Sequence, residues 1–186
     1  SSSNTAELET LGVDTVVADA LQADTVESAL RAKPFVAVIS TLGTSRGEQT
    51  QRPDFIGNRH VIDAAKSAGI RRVLLITVIG AGDSIEAAPL PSRRFLAEVI
   101  ELKTRAENHL RASGLDYTII RPGGLTDGAP SGEAFLADDP ATFSFIARAD
   151  LAKLVVDALG DPATIGKTYS AYDPSRKTMA TMFRDR

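Results

Sequence analysis

The sequence predicts an α/β fold in which a doubly wound parallel sheet is covered by helices. Two observations predict it. Apolar runs of strand length alternate with segments of helical period along the chain, the pattern of consecutive βα units. Residues 109–125, HLRASGLDYTIIRPGGL, lead a charged helix end through a Ser-Gly stop into an apolar strand and an Arg-Pro-Gly-Gly turn. Ligands of doubly wound proteins sit in the crevice at the carboxyl edge of the sheet, so this turn marks the candidate site.

The elements follow in order. Residues 13–18 read as a strand and 25–32 as a short helix; a second strand, 34–41, follows. The helix predicted at 54–68 keeps Val61, Ile62, Ala64 and Ala65 on one side and stops at Gly69. A strand at 72–78 precedes a long helix, about 92–112, that ends at Ser113-Gly114, and the next strand is 117–121. Residues 126–142, rich in Gly, Asp, Ala and Pro, read as a long irregular excursion, a common form for a binding loop. The helix at about 150–159 carries Leu151, Leu154, Val155 and Leu159 at core spacing, and the strand 167–171 closes the pattern. No repeat or linker divides the chain, so residues 1–186 are expected to form one domain.

Composition excludes several classes. The chain has 186 residues, 43% of them hydrophobic and 24% charged, enough to bury a real core. A net charge of -3 supplies no basic stripe, which disfavours nucleic acid as a partner. The absence of cysteine removes disulfides, zinc-thiolate sites and a cysteine nucleophile, and suits a reducing cytoplasm. The apolar runs at 35–39 and 73–79 are too short to span a membrane, and the polar opening SSSNTAELETLG does not read as a signal peptide.

The ordered set VVADAL, VISTLG, GNRHVIDAAKSAGIRRVLLITVIGAG, ELKTRAENHLRASGLDYTIIRPGGL and IARADLAKLVVDAL resembles the atypical short-chain dehydrogenase/reductases of the NAD(P)H-binding, NmrA-like and flavin or biliverdin reductase type. The likeness covers roughly residues 8–172 and implies a Rossmann-like sheet that binds NADP or NAD. It also implies a first strand, glycine-rich turn and second strand before residue 1. The fold is therefore expected to be incomplete at its N-terminus, with cofactor binding dependent on that turn. The resemblance places the first strand between the third and fourth. Without it, residues 13–18 would lack inner neighbours, and exposed edges could pair two copies into a homodimer. The glycines of TLGTSRG, 43 and 47, and those at 80 and 82 lack the G-x-G-x-x-G spacing.

The resemblance assigns candidate residues, each beside a plainer reading. Asp19 matches an aspartate that approaches the adenine, or caps the next turn. Ser40, Thr41, Leu42 and Gly43 would meet the cofactor's ribose, or form an ordinary strand-to-loop turn. Asn58 would face the cofactor or hold the active-site backbone, or act as a buried polar brace. Thr77 sits in TVIG, where family members often carry Ser-Ser-x-Gly, and its hydroxyl could donate to developing negative charge or serve strand packing. Lys103 aligns with the lysine of the YxxxK signature, a cofactor and catalytic role; alternatively it belongs to a solvated helix face. Four positions earlier stands Val99, so the proton-donating tyrosine of classical members is absent. Arg121, Pro122, Gly123 and Gly124 resemble the turn beside the nicotinamide, or a purely structural turn.

Asp150 reads as a helix N-cap with Arg148 as its ionic partner. His60, His109 and the Asp138-Asp139 pair are not spaced as metal ligands, and no metal is expected. Two function classes remain. One is an oxidoreductase that reduces a small conjugated substrate, a flavin, quinone or tetrapyrrole, by stacking it on the nicotinamide. The other is a dinucleotide-sensing or scaffold protein of the NmrA type, which the missing tyrosine and Val78 favour. Sugar-nucleotide epimerisation is disfavoured because it needs the acid-base tyrosine.

Overall fold

The computed structural model describes residues 6–44 and 51–176. Gly47 of the TLGTSRG stretch lies outside the described residues. In chain order the elements are α1 (Ala6–Thr10), α2 (Ala23–Arg31), β1 (Ala37–Ser40), α3 (Pro53–Ser67), β2 (Arg72–Ile76), α4 (Leu90–Phe95), α5 (Ala97–Ala112), β3 (Asp116–Pro122), β4 (Gly124–Thr126), β5 (Phe135–Ala137), β6 (Phe145–Ala147), α6 (Arg148–Gly160) and β7 (Lys167–Tyr172), with short 3-10 turns at Gly82–Ala87 and Pro162–Thr164. The main sheet has the order β1-β2-β3-β7-β5. Its first four strands run parallel, in register Val38 to Val73, Leu75 to Ile119 and Ile120 to Tyr169, and β5 pairs antiparallel with β7.

Strand alternation divides the core into two layers. Val38, Val73, Leu75 and Ile119 point to one face, where Ile62 and Ala65 of α3 and Ala106 and Leu110 of α5 cover them. Leu74, Ile76 and Ile120 point to the other, under Leu151, Leu154, Val155 and Ala158 of α6. Neighbouring residues of β2 and β3 thus serve opposite layers, which is why the strand centres, residues 73–76 and 119–120, are apolar on both faces. The expected doubly wound parallel sheet is observed in its first four strands, and the edge strand β5, which was not expected, makes the sheet mostly parallel.

Four expectations need correction. Residues 13–18 form no strand: they pair with no neighbour, β1 being the last strand on that side among the described residues, and Val17 is 98% exposed. The strand expected at 34–41 contracts to Ala37–Ser40; Pro34 has no N–H to give a ladder. The long helix breaks at Leu96, whose φ of -103° and ψ of 13° separate α4 from α5. The excursion at 126–142 contains β5, fixed to β7 by the edge-to-face pair Phe135 and Tyr172, whose centroids lie 5.5 Å apart.

Polar residues fasten the loops around β5 and α6. Asp150 is not the N-cap, since α6 begins at Arg148; its buried carboxylate instead accepts from the Ser131 and Gly132 amides at 2.8 and 3.1 Å. Arg148 pairs with Asp127 at 2.8 Å rather than with Asp150. Asp173, fully buried, accepts from the Ser131 hydroxyl at 2.8 Å, the Ser175 hydroxyl at 2.7 Å and Arg176 Nε at 3.0 Å. Burial works against its charge, but these donors outweigh it and hold the carboxyl below the usual aspartate range. A carboxylate with a lowered folded pKa adds stability that is fully present above its unfolded pKa, about 3.9, and is lost as pH falls through the folded value. Asp173→Asn should therefore lower stability by about 1–3 kcal/mol at neutral pH. The gap to the parent should narrow below about pH 4, as measured by urea unfolding across pH; a gap independent of pH would refute this.

Candidate functional site

The carboxyl ends of β1, β2 and β3 open into a cleft of about 1450 Å³, above the roughly 300–1,000 Å³ usual for a drug-sized ligand. The ends of β1 and β2 supply Ile39, Thr41, Gly43, Ile76, Thr77 and Val78; Pro122 comes from β3. One wall is α4 and α5, through Phe95, Leu96, Val99 and Lys103; the opposite wall is α6, through Leu151, Ala152, Val155 and Val156. Arg52 and Asp54, at the start of α3, close one end.

Lys103 is the polar centre of this cleft. It is buried, its ammonium donates to the Leu42 carbonyl, and it stands 3.8 Å from Asp54 Oδ1. Burial pushes its pKa below the ordinary lysine value, while the Asp54 and Glu107 carboxylates pull it back up. Gly43 matters here for its missing side chain: a Cβ would lie 3.4 Å from Asp54 Oδ1 and 3.7 Å from Lys103 Nζ, taking the space in front of the ammonium.

Of the residues singled out in the sequence, Thr41, Gly43, Thr77, Lys103 and Pro122 line the cleft. Others stand behind it. Ser40 donates to Asn58 Oδ1 at 2.6 Å, and Asn58 Nδ2 donates to the Asp54 carbonyl at 2.7 Å, so this pair braces the turn from the inside. Leu42 contributes its carbonyl. Asp19 accepts from the Leu21 amide at 2.9 Å, a turn cap away from the cleft. Gly123 and Gly124 serve packing: Cβ atoms there would sit 2.1 Å from the Ser144 carbonyl oxygen and 2.3 Å from the Phe145 ring.

Two polar side chains look inward. Arg121 is 2% exposed and binds Glu107 through Nε at 3.0 Å and Nη2 at 2.7 Å, with Asp83 on Nη1. Burial disfavours its charge, but the two carboxylates more than compensate and hold its pKa above the ordinary arginine value. Thr77 donates to Glu107 at 2.8 Å, which turns its single proton away from the cleft and corrects the expectation of a donor to substrate. Glu107, Arg52, Asp54 and Phe95 were missed by the sequence reading. Glu107 had a signal, since Val99, Lys103 and Glu107 recur at helical spacing on one face.

Residues 1–162 match the family model described as NAD(P)H-binding. The chain belongs to the NAD(P)H-binding family. Among its relatives is YhfK of Bacillus subtilis strain 168, an uncharacterised sugar epimerase by name, 34% identical over 88% of this chain and 75% of that protein. Sanguinarine reductase of Eschscholzia californica is 35% identical over 61% of this chain but only 42% of its own length. Among solved structures, the anaerobilin reductase ChuY of Escherichia coli O157:H7 superposes with a TM-score of 0.82, at 35% identity over 94% of this chain and 82% of that one. Thus this NAD(P)H-binding chain has reductases among its relatives. Among the described residues no helix is long and apolar enough to cross a membrane.

Removing the Glu107 charge leaves Arg121 buried with Asp83 alone. Glu107→Gln is expected to cost about 3 kcal/mol or more, read as a lower urea midpoint at unchanged slope; a midpoint within error of the parent would show that the pair is dispensable.

Proposed function

We propose that the chain is an NAD(P)H-dependent reductase of the atypical short-chain type that acts on a small conjugated substrate, a flavin, quinone or tetrapyrrole. The observation that carries this reading is the cleft around Lys103, where a buried ammonium faces a wall that is apolar at position 99. Val99 stands where classical members place their proton donor, and the Thr77 hydroxyl is turned to Glu107. Neither position can therefore polarise a carbonyl oxygen. A conjugated substrate delocalises added charge in its own π-system and needs no such donor.

The residues present fit the ribose and nicotinamide end of a dinucleotide. Gly43 leaves the room, Lys103 supplies N–H donors beyond the one engaged by Leu42, and Pro122 and Val78 offer apolar surface at the strand ends. Bound there, the reduced cofactor supplies hydride. The chain orients it, and the Val99 and α6 walls exclude water and hold the substrate flat. The similarity to a sanguinarine reductase and an anaerobilin reductase supports reduction as the reaction class. A second reading, a dinucleotide-sensing or scaffold protein without turnover, draws on the same apolar residues at 78 and 99.

Titration with NADPH and NADH, followed by nicotinamide fluorescence, tests the reading in the chain expressed with any native sequence preceding Ser1. Saturable binding is expected. Lys103→Met should weaken it about tenfold or more, the worth of a charged hydrogen bond. Binding without oxidation of NADPH by any flavin, quinone or tetrapyrrole would move the weight to the sensing role, and no binding would overturn both.

A further inference from the structure

Arg52 and Phe95 line the cleft, yet cofactor binding by Lys103 uses neither. Arg52 Nε is buried without a hydrogen-bond partner. Arg52 forms ion pairs with Asp54 Oδ2, 3.6 Å from Nε, and with Glu98 Oε2, 3.6 Å from Nη1, both too long to be hydrogen bonds. Asp54 is already engaged, accepting from Thr44 Oγ1 at 2.6 Å and pairing with Lys103. A desolvated N–H left open calls for an explanation, and a guanidinium fork is shaped for a planar or tetrahedral oxyanion.

Phe95 is 86% exposed. Phe55 lies under Arg105, and Phe135, Phe143 and Phe145 have aromatic partners, whereas Phe95 in the cleft lining, like Phe35 outside it, meets no other ring among the described residues. Its helix is nevertheless fastened, because Arg93 donates to the Ala88 carbonyl at 2.6 Å and the Glu86 carbonyl at 2.7 Å. The approach of Arg52 to Glu98 brings the guanidinium to the first turn of α5, three residues beyond Phe95, so the cation and the ring share one rim.

We propose that this rim selects an acidic conjugated substrate: Phe95 stacks on its flat ring system, and Arg52 takes an anionic substituent, a carboxylate or a phosphate monoester. This rests on the reductase reading and narrows its substrate class. Matched probes that differ in charge test it: FMN against riboflavin for a phosphate, and biliverdin against its dimethyl ester for a carboxylate. Binding is measured in the presence of NADP+, and turnover as NADPH oxidation.

At least one charged probe is expected to bind about tenfold more tightly than its neutral partner, with the preference shrinking as salt rises. Arg52→Gln should bring that ratio close to one, Arg52→Lys should retain part of it, and Phe95→Ala should weaken both members of the pair alike. Equal binding of charged and neutral probes by the unsubstituted protein overturns the proposal while leaving the reductase reading intact, and needs no variant to fold. A loss of NADPH affinity in Arg52→Gln as large as the loss for the charged probe assigns the guanidinium to the cofactor and also overturns it. Binding of NADPH but of none of the four probes overturns it as well, and no binding of NADPH removes the reductase reading with it.

Discussion

The buried pair between Glu107 and Arg121 fixes the working end of this molecule. It joins the inner face of α5 to the last turn of β3 by two hydrogen bonds, and neither partner is more than 2% exposed. Because residues four apart share a helix face, the anchor at 107 sets the rotation of the whole helix, and Lys103 and Val99 follow one and two turns away. Arg111, also on α5, donates to the same carboxylate at 3.0 Å.

A second consequence of the pair concerns the polarity of the cleft. Glu107 draws the Thr77 proton inward, so the strand end that could have donated to a substrate offers methyl and methylene surface beside Val78. The charged side chains that line the cleft are Lys103 and Glu98 on α5, Arg52 and Asp54 at the start of α3, and Arg148 at the start of α6. Charged groups set among apolar walls suit a ligand that carries both apolar and polar parts.

Much of the fold was legible because the parallel strands carry their own signature. Residues 73–76 and 119–120 are apolar on both sides, as strands covered twice must be, and the helix stops at Gly69 and Ser113-Gly114 are local chemistry. What escaped was set by distant partners. VDTVVA has the composition of a strand but no neighbour, and composition alone makes no ladder. Arg121 sits in the expected turn, yet its side chain answers to Glu107 on another element, so proximity in sequence to Pro122 misled. The motif directed attention to Lys103, which does line the cleft, whereas Arg52 carries no pattern and its place in the lining depends on how α3 meets α5.

Gly123 and Gly124 act as a spacer of zero thickness. They let β6 lie flush on β4, and α6 starts from β6 without an intervening residue, so the position of the far wall is inherited from the contact of two bare α-carbons with Ser144 and Phe145. A single methyl group at either position would act as a wedge, transmitted through β6 to Leu151 and Val155. The aperture between α5 and α6 is in this sense gauged by hydrogen atoms, at two glycines that stand outside the cleft's own lining.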